Sequence, residues 1–460
     1  ALRLRNDARP QSTGSFISQI RELEQVRELI TSTTVTAAMD MPFFLLFAFV
    51  MWAMGGSLVW VPLAAVPLLV IPGLLAQRPL ARMATEGMRE TSLRSAMLVE
   101  AVQGLDDIKL LRAEPRFQGQ WNHANDVAAT IGTRQRFLTG LLVSWTQEVQ
   151  TLVYAGVVLV GAYQVIAGDL TTGVLIACSI ISGRALTPVA QLPSLMVQWQ
   201  HAKIALKSLN GIMAMPSDRD PATRLVVPQS CQGQIRLEKA VFAYAEGKPS
   251  LDVPALSIQP AERIAILGSI GSGKSTLIKI LSGLYKPSAG HVFLDNVDVT
   301  QLAPEFVREH IGYLPQDVRL LQGTLRENLT LGLASPSDSQ ILRVAAMTGL
   351  DQVIQNHPKG LELEISEGGN GLSGGQRQLV GLTRMLLQQP RIMLLDEPTA
   401  SMDAQLENRV MHHLFNELAP ESLLVVVTHK PALLAYVNRV IVVDHGRVVA
   451  DGPRDRIMEA

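Results

Sequence analysis

Charge is scarce in this chain, and so are cysteine and aromatic residues. Only 18% of its 460 residues are Asp, Glu, Lys or Arg, and 47% are hydrophobic. Such a chain is too apolar to be disordered and too poor in charge for an ordinary soluble enzyme. Lys and Arg number 40 against 41 Asp and Glu, a formal charge of -1, so no basic field exists to attract nucleic acid. Two cysteines, Cys178 and Cys231, are too few for a disulfide scaffold or a cysteine-rich metal site. Internal repeats and low-complexity tracts are lacking as well, and the length points to two or three domains.

The apolar residues crowd into the first half. Met41 to Gln77 contains no Asp, Glu, Lys or Arg, and as a helix it would run roughly 55 Å, nearly two crossings of a 30 Å hydrocarbon core. Gly55-Gly56-Ser57 supplies a turn near its middle, so the expectation is a hairpin with crossings at 41–54 and 58–75. A second pair is expected at 137–164 and 170–192, joined by Ala167-Gly168-Asp169. The two short turns carry no Lys or Arg. Between Arg78 and Arg136 there are nine, which places that segment and both chain ends on the cytoplasmic side. Trp52, Trp60 and Tyr163 fall near the outer turns, as an aromatic belt or as core aromatics. Leu98, Ala101, Val102, Leu105, Ile108 and Leu111 suggest amphipathic helices continuing beyond the membrane, interrupted between Gly104 and Pro115 by a short transverse helix. The first 40 residues read as a polar amphipathic helix (Phe16, Ile20, Leu23, Val26, Ile30) without the apolar core of a signal peptide.

Composition changes near Met215. Pro216, Pro221 and Pro228 with Ser217, Asp218 and Ser230 make a linker, taken as 214–233 between a membrane domain at 1–213 and a second domain at 234–460. There short Val/Ile/Leu runs alternate with helical stretches, the pattern of an α/β nucleotide-binding domain.

Its first motif follows the buried-strand run Arg263–Leu267. Gly268-Ser269-Ile270-Gly271-Ser272-Gly273-Lys274-Ser275-Thr276, leading into a helix to Leu284, matches G-x-x-x-x-G-K-[ST] in a strand–loop–helix setting. Backbone N–H groups of such a loop converge on phosphates, Lys274 adds a point charge, and the Ser275 hydroxyl is a Mg²⁺ ligand. The run Ile392–Leu395 ends in Asp396-Glu397. Asp396 is placed to hold Mg²⁺, and Glu397 is the natural general base for an attacking water. Leu423–Val427 ends in Thr428-His429, which puts His429 at the same sheet edge, able to reach the γ-phosphate and orient the base. Leu372-Ser373-Gly374-Gly375-Gln376 opens a helix at 376–387 and forms a second anion site. One phosphate chain does not need two such sites, so this one is expected to close over ATP held by a second copy.

The order of these motifs resembles the ATP-binding cassette (ABC) family over 234–460. The resemblance implies that Tyr244 stacks on adenine. It makes Gln316, in Leu314-Pro315-Gln316, the glutamine that senses Mg²⁺ and links the site to the membrane helices. Ser401-Met402-Asp403 stands where the family usually has Ser-Ala-Leu-Asp, which leaves Asp403 for contacts between two cassettes. The first half resembles the membrane domain of ABC exporters, which have six crossings against the four counted here. The implied architecture is an all-α transmembrane domain followed by an α/β P-loop NTPase. Because the chain opens with Ala1 and not Met, two helices and any N-terminal domain, peptidase-like or not, are expected before it. The 104–114 region would be the coupling helix.

Asp40-Met41-Pro42-Phe43, Gly183-Arg184-Ala185-Leu186-Thr187-Pro188 and Glu367-Gly368-Gly369-Asn370-Gly371 narrow the resemblance to type I secretion permease/ATPases, notably exporters of large repeat-rich adhesins. Glu367 is the candidate contact with a partner's coupling helix. By that resemblance the partners are a second copy, a periplasmic adaptor (membrane fusion) protein, an outer-membrane channel and a polypeptide cargo, at the bacterial inner membrane among its lipids. ATP and Mg²⁺ are the implied ligands, and nucleic acid is not. Two alternatives stay open: an ABC exporter of lipid, drug or processed peptide, and a non-exporting regulatory ABC protein. Lys274, Asp396, Glu397 and His429, all intact, weigh against the second, and the crossings exclude a soluble ATPase of DNA maintenance. Glu148 and Arg184 lie roughly 25–30 Å below the outer turn at about 1.5 Å per residue, as a pair, a path lining, or groups already in water.

Overall fold

The computed structural model describes residues 5, 16, 20, 27, 34–218, 225–244 and 248–459. Leu23, Val26 and Ile30 of the expected first helix and Pro221 of the expected linker lie outside the described residues. The chain divides into two compact units, Pro10–Met215 and Pro216–Ala460, the latter together with Ala1–Arg9.

The membrane unit is all helix: α1 (Thr34–Gly55), a 3-10 turn (Gly56–Val59), α2 (Trp60–Gln103), α3 (Leu105–Leu110), α4 (Glu114–Ala167) and α5 (Thr172–Met213). Among the described residues, three stretches are long and apolar enough to cross a membrane: Pro42–Gln103, Glu114–Ala167 and Thr172–Val189. The first of these folds back on itself. Gly56 takes φ +56° in the turn, and both α1 and α2 pack on α5. A Cβ on Gly55 would lie 2.8 Å from Cys178 Sγ, while Leu58 and Leu175 close around Gly161. Ends of all four long helices therefore meet at one level, and four crossings result.

From there α2 and α4 run antiparallel. Gln164 Nε2 donates to Ser57 Oγ at 2.8 Å, Trp145 Nε1 to the Leu68 carbonyl at 2.9 Å, and Arg94 Nη1 to Asn125 Oδ1 at 3.3 Å. The middle bond has a cause in the sequence. Pro72 has no N–H to give the carbonyl four residues earlier, and a carbonyl without a donor is costly in lipid. Trp145 supplies the missing donor. Helices extend well beyond the expected crossings, with the expected break at Gly104. Of the expected amphipathic stripe only Ile108 is buried, while Val102 and Leu111 are largely exposed. Trp52, Trp60 and Tyr163 are exposed near the outer turns.

Glu148 and Arg184 do not pair within the chain. Both are exposed, because the residues α4 turns inward are Thr146, Val149 and Val153, and those of α5 are Ala185 and Leu186.

The second unit holds a six-stranded sheet in the order β12-β11-β3-β10-β9-β6 and a four-stranded antiparallel sheet in the order β2-β1-β4-β5. In the first, β3 (Arg263–Leu267), β6 (Ile311–Leu314), β9 (Ile392–Asp396), β10 (Leu423–Val427) and β11 (Arg439–Asp444) are parallel, and β12 (Arg447–Pro453) closes the edge antiparallel. β1 (Ile235–Phe242), β2 (Leu251–Ile258), β4 (Ala289–Leu294) and β5 (Val297–Asp298) make the second, and β7 (Gly323–Thr324) pairs antiparallel with β8 (Glu364–Ile365) in a small third sheet. β9 and β10 are buried at every position, as central parallel strands must be. Helix α6 (Lys274–Leu281) stops three residues before the expected Leu284, where Gly283 takes φ +71°. α7 (Gly374–Leu387) and α8 (Ala404–Glu417) complete the elements that carry the site. Part of the expected linker is bound to this unit, since the N–H groups of Gln232, Gly233 and Gln234 donate to the Asp295 carboxylate.

Candidate functional site

Strands β3, β10 and β9 lie side by side and end at one edge of the sheet. The segments that follow them must share that edge: the loop 268–276 after β3, Glu397 after β9, and Thr428-His429 after β10. The four site residues Lys274, Asp396, Glu397 and His429 are thus gathered by strand order.

Gly268, Gly271 and Gly273 take left-handed φ values in the loop. It is propped from behind by the β11–β12 turn: Ser269 Oγ donates to Asp444 Oδ1 at 3.3 Å, and the Gly446 N–H donates to the Ser272 carbonyl at 2.8 Å. Lys274 Nζ donates to the Gly268 and Ser269 carbonyls at 2.9 and 2.7 Å. Burial pulls its pKa down, while Glu397 and Asp396 pull it up. A phosphate would replace the two carbonyls as a stronger acceptor.

Asp396 is 2% exposed, and burial pushes its carboxyl pKa up against a hydrogen bond from Ser275. Its Oδ1 is buried and has no hydrogen-bond partner. A buried carboxylate oxygen without a donor, beside a serine hydroxyl, fits a hard divalent cation that takes oxygen ligands.

Glu397 has φ +49°, a left-handed backbone that costs a non-glycine residue about 1–2 kcal/mol. The kink turns its side chain away from the buried course of Asp396 and toward two neighbours. Gln316 Nε2 donates to Glu397 Oε2 at 3.2 Å, and His429 Nε2 lies 3.4 Å from Glu397 Oε1. A carboxylate held from both sides at a sheet edge can accept a proton from water.

Tyr244 is exposed beyond β1. Its Oη is 2.9 Å from Thr276 Oγ1, and its ring meets Phe242 and Tyr285 edge-on. The signature residues lie in a different place. Ser373 caps α7 through a capping box, its Oγ accepting from the Gln376 N–H at 3.2 Å while its N–H donates to Gln376 Oε1 at 2.9 Å. The box leaves the N–H groups of Gly374 and Gly375, free by helix geometry, for an outside acceptor. Leu372, Ser373, Gly375 and Gln376 line a groove of about 540 Å³ together with Met402 and Asp403. Gly375 is required for packing as well: a Cβ there would lie 2.8 Å from the Ser401 carbonyl oxygen. Glu367 is exposed in a short 3-10 turn before the signature.

Three residues that no motif flags join these parts. Gln378, 3% exposed on α7, donates to the Glu397 carbonyl at 3.3 Å and accepts from the Ser401 N–H at 3.2 Å. Lys430 and Glu407 form an ion pair at 2.6 Å. The only sequence signal for Gln378 is a polar residue among Leu379, Val380 and Leu382 on an apolar helix face.

A parallel-sheet P-loop cassette beside a polytopic helical unit defines the class, an ATP-binding cassette joined to a membrane region. Residues 251–400 match the ABC transporter family and residues 6–188 the ABC transporter transmembrane region. The chain belongs to the ABC transporters and carries membrane region and cassette together. It is 30% identical to the alpha-hemolysin translocation ATP-binding protein HlyB of Escherichia coli O157:H7, over 97% of this chain and 63% of that protein. Identity to the leukotoxin export ATP-binding protein LtxB of Aggregatibacter actinomycetemcomitans is 28%, with the same coverage. The chain therefore spans about 63% of the length of these curated relatives. Its fold is like that of a bacterial Atm1-family ABC exporter solved with ATP bound, with TM-score 0.90 and 21% identity over 98% of this chain and 79% of that one.

Proposed function

We propose that the chain is the permease/ATPase half of a type I secretion complex, which couples ATP hydrolysis to export of a polypeptide, and that its cargo is a large repeat-rich secreted protein. The observation that carries the hydrolytic part is the convergence of Gln316 and His429 on the two oxygens of Glu397. The polypeptide cargo rests on relatives that are named for toxin translocation.

In this reading 1–213 is the membrane domain, 214–233 a linker and 234–460 the cassette. The 268–276 backbone and Lys274 bind the phosphates, and Tyr244 stacks on the adenine. Ser275, Asp396 and Gln316 would hold Mg²⁺, which when bound neutralises phosphate charge. Glu397 takes the proton of the attacking water, His429 holds Glu397 and reaches the γ-phosphate, and Gln316 orients the same carboxylate. Ser373, Gly374 and Gly375 of a second copy cover the ATP from the far side, Asp403 contacts that copy, and Glu367 meets its coupling helix. The machine is a dimer in the bacterial inner membrane, with its cassettes in the cytoplasm, an adaptor protein in the periplasm and a channel in the outer membrane.

The test uses the purified chain in detergent or nanodiscs. Glu397→Gln should keep ATP binding and lose about 10²–10⁴-fold in turnover, the usual share of a general base. Lys274→Ala should lose labelled ATP itself. Rapid hydrolysis by Glu397→Gln would remove the base assignment. In the producing cell, deletion should abolish secretion of one large protein; unchanged secretion with altered lipid or drug efflux would replace the cargo class.

A further inference from the structure

His429 and Asp403 sit on separate loops, and an ion pair between the buried Glu407 and the half-buried Lys430 ties those loops together. Lys430 directly follows His429. Its Nζ donates to Glu407 Oε2 at 2.6 Å and to the Thr399 carbonyl at 2.7 Å. Thr399 Oγ1 donates to Glu407 Oε1 at 3.2 Å. Glu407 is 6% exposed and lies in the first turn of α8, the helix that Asp403 caps. A single carboxylate thus fastens the loop after β10 to the 399–403 segment after β9. On its other side that segment is held by Gln378, through the Ser401 N–H.

Stability alone does not call for this arrangement. The Glu407 carboxylate, 7% exposed, is costly to desolvate, and a lysine partner still 36% exposed and screened by water returns little of that cost. What the pair adds is direction. The Lys430 N–H donates to Thr428 Oγ1 at 3.0 Å, so the backbone on both sides of His429 is pinned while its ring projects toward Glu397 at 3.4 Å. The same segment, through Met402 and Asp403, borders the groove beside the signature.

We propose that Lys430 and Glu407 are positioning residues for the hydrolytic step: they hold His429 against Glu397 and make that placement depend on the 399–403 segment, without contributing to nucleotide affinity. The proposal rests on the assignment of Glu397 and His429 given above.

Lys430→Met alone would strand Glu407 in the interior and risk unfolding the cassette. The deciding variant is therefore the double change Glu407→Leu with Lys430→Met, which removes both charges, set beside Lys430→Arg, which keeps the charge. The full chain is purified and assayed for melting temperature, TNP-ATP affinity, and kcat and KM for ATP with Mg²⁺. The double variant should melt near the parent and bind TNP-ATP within about twofold, yet turn over roughly tenfold or more slowly with little change in KM. Lys430→Arg should recover part of the lost rate. A double variant with parental kcat, one whose rate loss matches an equal loss of TNP-ATP binding, or one that does not fold makes the pair purely structural and overturns the proposal. So does a Lys430→Arg variant as slow as the double. If instead Glu397→Gln hydrolyses ATP like the parent in the same assay, the underlying site assignment has failed and not the latch.

Discussion

Replacing Gly375 by alanine tests how closely the signature helix rests on the 399–403 segment. The new Cβ would sit 2.8 Å from the Ser401 carbonyl oxygen. That oxygen cannot rotate away as a side chain would. Its segment is pinned by the Ser401 N–H to Gln378 at 3.2 Å and the Met402 N–H to the Thr399 carbonyl at 3.1 Å. Helix or segment must retreat by several tenths of an ångström. Overpacking of this kind costs about 1–3 kcal/mol, offset by at most about 1 kcal/mol from the better helix propensity of alanine. A net loss of about 1–2 kcal/mol corresponds to a fall of roughly 2–8 °C in melting temperature for a domain of 150–250 residues. ATP turnover should fall further than TNP-ATP binding, because Lys274 and its loop are untouched. Gly374→Ala is the milder control: its Cβ would lie 3.2 Å from the Ser401 Oγ, which can swing aside, and 3.3 Å from the Ser401 Cβ, a contact tight by only a few tenths of an ångström. Scanning calorimetry and steady-state turnover on both variants decide the matter. If Gly375→Ala melts at or above the parent temperature and hydrolyses ATP normally, the close approach is not a constraint and the reasoning fails.

Asp396→Asn should raise the melting temperature at neutral pH in EDTA without nucleotide. Burial raises the folded-state pKa of Asp396, so the ionised form weakens the fold above that pKa; the gain should shrink as pH falls toward the ordinary carboxylate range. Added Mg²⁺ and ATP should stabilise the parent alone, and a variant that melts lower than the parent in EDTA at neutral pH would contradict the burial argument. Trp145→Phe should cost about 0.6–2 kcal/mol by removing the donor to the Leu68 carbonyl. Pro72→Ala restores a helical N–H to that carbonyl, so Trp145→Phe in that background should cost less; equal losses in both backgrounds refute the link.

Much of the catalytic edge is legible in the sequence because its chemistry is local. Arg263–Leu267, Ile392–Leu395 and Leu423–Val427 are short runs of buried-strand residues, and each delivers its polar residue at its own end. Once those strands are parallel neighbours, Lys274, Asp396, Glu397 and His429 have nowhere else to go. Residues that brace the edge are another matter. Lys430 and Glu407 are 23 positions apart, and Gln378 reaches Ser401 across the same interval, so no local pattern marks them. Pro72 announces an orphaned carbonyl, but its donor stands 77 residues along the chain from Leu68. Depth alone left Glu148 and Arg184 open between a pair, a path lining and groups in water, because depth says nothing about which way a helix face turns. Periodicity did foresee helices continuing past the apolar stretches, but not which way their faces turn, since Leu98, Val102 and Leu111 of the expected stripe are exposed.

Those lengths set a mechanical ratio. α4 has 54 residues, so at about 1.5 Å per residue it is a rod of roughly 80 Å, and a swing of about 5° around the Gly168 end carries its other end roughly 7 Å. Side chains near Gly161 need slide only a fraction of that distance. Modest repacking near Gly161 thus becomes a large stroke at the far tip, and a large push on the tip arrives near Gly161 geared down.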